Sequence, residues 1–263
     1  MRLTLLILLL SLGSLSLPVS AEETPSFRNP VHPHHPSYPL PHHQLSSEED
    51  PLFRLSGTGA WDSRYVAEGR DSLAGDSLFS YTLEASYENL TLGFWHAESP
   101  DVDFTELNLW LEYGIELADF ELYATYQHLW FVTDDADDNE VGFGFSYQGL
   151  PFGVVPAVDW YYSFAAEGGF TLLSLSHEFE VGDRLTIVPQ SFVGFNGGYV
   201  PDGHHGADHA GLLLEAILPL ANHWEMSAYL SYNWAIHSEP FRYEEDADLA
   251  DFFYGGAAIT WSF

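Results

Sequence analysis

Apolar and polar positions alternate over residues 252–263. Counting back by twos from Phe263 gives a largely apolar set with aromatic side chains at both ends. The intervening positions, from Ser262 back to Tyr254, are mostly small or hydroxylated. Successive side chains of a strand point to opposite faces. This pattern therefore predicts a strand with one face on lipid and the other on a polar interior.

Similar segments recur through the chain from Leu52 onward. Each is close to the roughly 9–11 residues with which a tilted strand crosses a bilayer. They lie at residues 53–65, 78–87, 90–97, 105–115, 120–130, 140–148, 155–164, 170–180, 184–195, 209–218, 224–236 and 252–263. The sequence therefore predicts an all-β fold over residues 52–263, an antiparallel transmembrane β-barrel of about twelve strands.

The connections between these segments alternate between short and long. Short ones lie at residues 88–89, 116–119, 149–154, 181–183 and 219–223. Longer ones lie at residues 67–77, 98–104, 131–139, 165–169, 196–208 and 237–251. Such alternation is typical of periplasmic turns and external loops, and an even strand number places both termini in the periplasm. The longest loops are about fifteen residues, too short for a plug domain.

The two faces of most segments agree with a barrel in lipid. In residues 120–130, Phe120, Leu122 and Tyr126 fall on the outward side, and Glu121 falls on the inward side. The alternation weakens at residues 170–180, where His177 is outward, and at residues 213–217. A soluble β-sandwich or an eight-stranded ligand-binding barrel also alternates, but its strand lengths vary more and its apolar face is buried. The near-equal segments favour the membrane barrel.

The N-terminal part of the chain has a different composition. Arg2 precedes an apolar run that ends in small residues up to Ala21, which predicts a signal peptide at residues 1–21. Residues 22–51 are rich in Pro and His, which predicts an extended periplasmic tether. A metal-binding role for its histidines is the alternative. The chain has no Cys, so it has neither disulfides nor a lipid-anchored cysteine.

Charge narrows the range of partners. The formal net charge is −32, with 39 acids against seven Arg and no Lys. Nucleic acid is excluded as a partner, because neutralising phosphates needs a basic surface. Aromatic residues make up 16% of the chain, which suits the girdles of a barrel at the membrane interfaces. The expected surroundings are outer-membrane lipid and small solutes.

Two stretches resemble known families. The C-terminal strand ending in Phe263 resembles that of bacterial outer-membrane barrels, which implies recognition by the barrel-assembly machinery. Residues 61–71, from Trp61 to Asp71, resemble the end of the first strand in the TorF-type family of putative porins. They depart from its pattern, because Arg64 precedes Tyr65. The resemblance implies a small outer-membrane channel and no particular catalytic or binding residue.

The inward faces carry the candidate functional residues. Nine charged side chains are predicted to line the lumen and set its selectivity: Asp62, Arg64, Glu84, Glu106, Glu112, Glu121, Glu140, Asp159 and Glu225. A ring of carboxylates attracts cations and repels anions, so a porin-like channel for small cationic or neutral solutes is expected. The alternative is a lumen filled by bulky inward side chains and a buried ion-pair network around Asp62 and Arg64, giving a structural or binding barrel.

Catalysis and metal binding are further alternatives. Outer-membrane hydrolases use Ser and His on neighbouring wall positions, and the candidates are Ser174, Ser176 and His177. Adjacent residues of one strand point to opposite faces, so no enzyme activity is predicted. Carboxylate clusters at residues 133–139 and 244–248 suggest calcium, and His204, His205 and His209 suggest another metal. Solvated loop tips are the preferred interpretation, with no cofactor and no metal.

Overall fold

The structure, a computed structural model, describes residues 53–182, 184–221 and 223–263. The predicted signal peptide and tether lie outside these residues. The strands are β1 (Phe53–Asp62), β2 (Val66–Ala67), β3 (Arg70–Asp71), β4 (Leu78–Tyr87), β5 (Leu90–Glu98), β6 (Thr105–Leu117), β7 (Phe120–Phe131), β8 (Ala136–Tyr147), β9 (Val154–Ser163), β10 (Gly168–His177), β11 (Phe179–Val181), β12 (Leu185–Gly197), β13 (Gly206–Ala221), β14 (Trp224–Ala235) and β15 (Phe252–Ser262). Two 3₁₀ turns cover Pro151–Gly153 and Glu244–Ala247. No described helix is long and apolar enough to cross a membrane.

The described strands close into one antiparallel cylinder. Every strand of the wall pairs with its sequence neighbour, β1 pairs with β15, and β10 pairs with β12. At the β1–β15 seam, Leu55 N donates to Phe263 O at 2.9 Å and Phe263 N donates to Leu55 O at 2.8 Å. The short β11 continues the line of β10 beyond Glu178 and pairs with β12. The predicted fold, an antiparallel β-barrel of twelve strands, is confirmed.

The alternation of side chains along each strand sorts them into lipid-facing and interior sets. The outer surface carries exposed aliphatic and aromatic side chains such as Leu83, Leu111, Leu214 and Phe253. In residues 213–217 the weak alternation has a simple cause. Leu213 and Ile217 are buried in the interior, so apolar residues occupy both faces of this part of β13.

The long and short connections lie at opposite ends of the cylinder. We call the end with residues 63–77, 99–104, 132–135, 164–167, 198–205 and 236–251 the long-connection end. Several strand bounds differ from the prediction by a few residues, and two of these differences concern the long-connection end. β8 begins at Ala136, so residues 136–139 of the acidic stretch 133–139 belong to the wall. β1 ends at Asp62 instead of residue 65, because the chain turns inward there.

Residues 63–77, which we call loop 1, fold into the mouth of the barrel. The loop contains the small hairpin β2–β3, in which Val66 pairs with Asp71. Tyr65, Ala67, Glu68 and Arg70 are all buried. No plug domain was predicted from loop length, and none is present in the described chain. Loop 1 instead occupies part of the mouth.

Candidate functional site

Loop 1 reaches the interior because glycine permits its tight turn. Gly69 has a φ of +75°, and a Cβ at this position would lie 2.6 Å from the Cβ of His209 in β13. Only glycine combines this conformation with so close an approach. On the other side of the turn, Asn233 of β14 donates from Nδ2 to Gly69 O at 2.9 Å. The tip of loop 1 is therefore held against β13 and β14.

Three tyrosine–glutamate hydrogen bonds join the loops to the opposite wall. Tyr65 of loop 1 donates to Glu106 of β6 at 2.9 Å. Tyr161 of β9 donates to Glu68 of loop 1 at 3.0 Å. Tyr199, in the loop at residues 198–205, donates to Glu140 of β8 at 2.6 Å. We call these six residues, all buried, the tyrosine–glutamate cluster.

Electrostatics in this cluster favour uncharged side chains. Burial raises the pKa of Glu68 to about 8, and the nearby charges of Asp208 and Glu106 act in the same direction. The hydrogen bond from Tyr161 and the charge of Arg70 oppose the shift without cancelling it. Burial, followed by the charge of Glu140, also raises the pKa of Tyr199 well above its ordinary value. Glu68 is therefore a protonated carboxylic acid at neutral pH.

A buried ion-pair network joins loop 1 to β13 and to the loop at residues 236–251. The Arg70 guanidinium donates to Asp208 of β13 at 2.8 Å and to Asp246 of the loop at residues 236–251 at 3.2 Å. It also donates to the carbonyl oxygens of Glu68 at 2.9 Å and Glu245 at 3.0 Å. The side chain of Arg70 is 5% exposed and both carboxylates are 0% exposed. We call this arrangement the Arg70 network.

His204 belongs to the same network. Its Nδ1 lies 2.9 Å from the Asp246 carboxylate, and its Nε2 lies 3.0 Å from the carbonyl oxygen of Ala207. Burial alone would lower the pKa of His204, but these two hydrogen bonds and the charges of Asp246 and Asp208 raise it. Both ring nitrogens face acceptors, so the imidazolium, with two N–H donors, is the form that fits.

Below loop 1, apolar side chains fill part of the interior. Leu172, Phe192, Leu213 and Tyr254 form one buried cluster contributed by four different strands. His209 lies beside it, with its ring centroid 5.8 Å from that of Phe192. The bulky interior side chains predicted from the sequence are therefore packed against one another on this side of the barrel.

Eight of the nine predicted lumen residues lie on strands of the barrel wall, with different partners. Four of the carboxylates accept from hydroxyl groups of adjacent or facing strands: Asp62 from Tyr229 at 2.6 Å, Glu84 from Ser56 at 3.1 Å, Glu121 from Ser146 at 3.1 Å and Asp159 from Tyr123 at 2.6 Å. Glu106 and Glu140 belong to the tyrosine–glutamate cluster, and Glu112 and Glu225 are half-buried.

Arg64 lies in loop 1, where it forms an ion pair with Asp71 instead of Asp62. The expected ion-pair network around Asp62 and Arg64 is therefore wrong in its members. The buried network is built on Arg70, Asp208 and Asp246, which the sequence predicts to lie in loops. These three positions belong to no alternating pattern, because their pairing depends on how loop 1, β13 and the loop at residues 236–251 meet.

The alternative catalytic and metal-binding residues do not come together. Ser174 is buried in the interior, whereas His177 is the last residue of β10, with Nδ1 2.8 Å from Gly153 O. Asp138 of the acidic stretch 133–139 is buried and accepts from Ala165 N at 2.9 Å, so it is no loop-tip ligand. Among the described residues, no group of three or more His, Cys, Asp or Glu side chains is placed to hold a metal ion.

Solved structures with a similar fold are outer-membrane channels. The KdgM porin matches with a TM-score of 0.53 at 6% identity, over 80% of this chain and 99% of that one. The chain has the fold of outer-membrane porins. The NanC porin matches with a TM-score of 0.52 at 7% identity, over 79% of this chain and 98% of that one. The COG4313 outer membrane channel from Pseudomonas putida F1 matches with a TM-score of 0.51 at 12% identity, over 82% and 97%.

Comparison of sequences gives no match for this chain, although comparison of structures does. No protein-family model matches this porin-like chain, and no curated protein sequence matches it. Membership of the TorF-type family is therefore not confirmed. Residues 61–71, which suggested it, form the end of β1 and the first part of loop 1, so they coincide with the segment that closes this porin-like barrel.

Proposed function

We propose that this protein is a porin-like channel of the outer membrane that passes small cationic or neutral solutes by diffusion. The observation that carries the proposal is a closed barrel whose charged interior side chains are mostly carboxylates. The likeness to porins supports the fold, and the lipid-facing surface supports a membrane location. In this arrangement the long-connection end faces outside and both termini face the periplasm.

The interior charge supports a preference for cations. Nearly all charged side chains on the inward faces of the wall strands are acidic, including Glu84, Glu112, Glu121 and Glu225. Arg70, in contrast, is neutralised by two carboxylates. A water-filled lumen bounded by such a wall concentrates cations and excludes anions through the focused field of the carboxylates.

Ion selectivity in planar bilayers tests this proposal. We expect a reversal potential of the sign given by cations across a potassium chloride gradient. Replacing Glu121 and Glu225 together by Gln is expected to reduce it. The double substitution of Asp101 and Asp103, exposed acids outside the lumen, by Asn is the matched control and leaves the reversal potential unchanged. A reversal potential of the anion sign contradicts the proposal.

The filled barrel remains a second candidate, because a specific observation favours it. The cluster of Leu172, Phe192, Leu213 and Tyr254 occupies interior space that a solute would need. If this packing extends across the lumen, the protein gives no conductance under any condition, including after release of loop 1. The bilayer measurement therefore separates the two functions. Binding of the C-terminal strand by the barrel-assembly machinery stays a prediction.

A further inference from the structure

Two titratable side chains, Glu68 and His204, lie in the buried contacts at the long-connection end. Glu68 is buried, its Oε1 accepts from Tyr161, and its Oε2 has no hydrogen-bond partner among the described residues. His204 faces an acceptor at each ring nitrogen. An ionised Glu68 would thus accept only one hydrogen bond from these residues, which disfavours its charge, and the two acceptors at His204 fit a protonated ring.

The charged groups around Glu68 make its ionisation unfavourable. Asp208 of β13 and Glu106 of β6 act on Glu68 through their charges, and Glu140 of β8 acts on its hydrogen-bond partner Tyr161. Arg70 is the cation facing it, and that guanidinium is already shared between Asp208 and Asp246. A carboxylate at Glu68 would therefore be repelled from the barrel wall, together with the hairpin that carries it.

The groups around His204 make loss of its proton unfavourable. Asp246 and Asp208 act on the ring through their negative charges. Two further aromatic groups of the loop at residues 236–251 lie near it, with the ring centroids of His237 at 4.8 Å and Tyr243 at 6.4 Å. A neutral ring retains one N–H, so one of its two acceptors would then face a nitrogen lone pair.

We propose that loop 1 is a pH-dependent gate, closed while Glu68 and His204 are both protonated and released into solvent when both lose their protons. This inference rests on the proposed channel function for its physiological meaning. The release breaks the hydrogen bond from Tyr161 to Glu68, weakens the contact of His204 with Asp246 and opens the long-connection end of the barrel.

The direction of the pH dependence is the same for both groups. A group whose pKa is raised in the closed form stabilises that form below its ordinary pKa, and the stabilisation is lost as pH rises to the raised value. With an ordinary pKa of 4.5 in the open form and about 8 in the closed form, Glu68 alone shifts the open-to-closed ratio roughly 50-fold between about pH 6 and about pH 8. His204 adds to this shift.

Asp246 does not oppose the gate in this range. Burial would raise its pKa, but the backbone N–H groups of Glu239 and His204 and the His204 ring lower it. The stabilisation from a lowered carboxyl pKa is present at neutral and alkaline pH and is lost only in acid, below the ordinary value of 3.8. Closing is therefore favoured at mildly acidic pH and opening at alkaline pH.

Two readouts on the full-length protein test the gate. Hydrogen exchange of residues 63–77 in detergent reports loop release, and conductance in planar bilayers reports passage. We expect both to increase between about pH 6 and about pH 9, by at least 10-fold for exchange beyond the intrinsic effect of pH. The variant E68Q keeps the acceptor oxygen but cannot ionise, so its loop is expected to stay protected at alkaline pH. The variant H204Q is expected to release the loop at lower pH.

Matched controls are available on the same rim. Glu167 and His205 are both exposed, so E167Q and H205Q are expected to behave like the wild type. Exchange and conductance that do not change with pH, or an E68Q variant that opens like the wild type, overturn the gate. A pH-dependent loop release with no current at any pH supports the gate and contradicts the proposed channel. A steady cation current with loop 1 always protected supports the proposed channel and contradicts the gate.

Discussion

Replacing Arg70 by Met is expected to release the loops while leaving the barrel wall intact. Arg70 donates two hydrogen bonds to carboxylates that are 0% exposed and two to backbone carbonyl groups. Removing one partner of a buried ion pair costs about 3–5 kcal/mol, because an uncompensated charge remains in the interior. Here Asp208 and Asp246 would both be left, with His204 as the remaining cation.

The assay is hydrogen exchange measured peptide by peptide. A loss of about 3–5 kcal/mol from a local closing equilibrium increases exchange about 100-fold or more in residues 63–77 and 236–251. Exchange in β6 to β9 is expected to stay unchanged, because these strands are held by their own ladders. The matched control is Arg242→Met. Its guanidinium lies 3.7 Å from Glu239 and is 72% exposed, so its removal should have little effect.

Equal exchange in the Arg70→Met and Arg242→Met variants would refute the reasoning. It would mean that the contacts of Arg70 contribute no more than those of a solvated surface pair. An equal rise throughout the wall would refute it differently, since loop closure and barrel stability would then be one cooperative unit.

Two further predictions test the interior packing and the lipid face. Gly93→Ala would place a Cβ 1.8 Å from Cζ2 of Trp110 and is expected to destabilise the barrel by about 1–3 kcal/mol, measured by urea unfolding. Gly59→Ala is the neutral control, because its Cβ would have nothing within 4 Å. Equal unfolding midpoints for the two variants would contradict the packing. Leu83→Arg puts a charge on the lipid face of β4 and is expected to reduce the stability of the barrel by about 2–4 kcal/mol. Thr82→Arg points inward and is expected to reduce it less. Heat-dependent gel mobility and refolding yield report the order of the two variants, and the reverse order would contradict the assignment of faces.

The wall of the barrel could be predicted from the sequence because each strand carries its own signal. Alternation along β7 or β14 requires no knowledge of the rest of the chain, since lipid on one side imposes it locally. Most strand bounds agree within a few residues for this reason. The exception at β8 arises because the acidic residues Asp137 and Asp138 predict a loop. Asp138 points into the interior, where acids are tolerated.

The mouth of the barrel could not be predicted in the same way. Glu68 and Arg70 lie in a segment without alternation, and their partners are far away in sequence. The contact of Arg70 with Asp246 spans 176 residues. Such a pair leaves no periodic trace in a single sequence. Two signals were nevertheless present, namely Gly69, which permits the turn, and Arg70, a rare cation in a chain with seven Arg and 39 acids.

Loop 1 also has a mechanical consequence. It contacts β6 through Tyr65, β9 through Glu68, β13 through Arg70 and β14 through Gly69, so it braces the cylinder against four strands. A hollow ring of hydrogen-bonded strands flattens easily when the bilayer squeezes it from the side. The contacts of loop 1 resist that flattening at the long-connection end. Lateral pressure should therefore make the cross-section oval first at the opposite end.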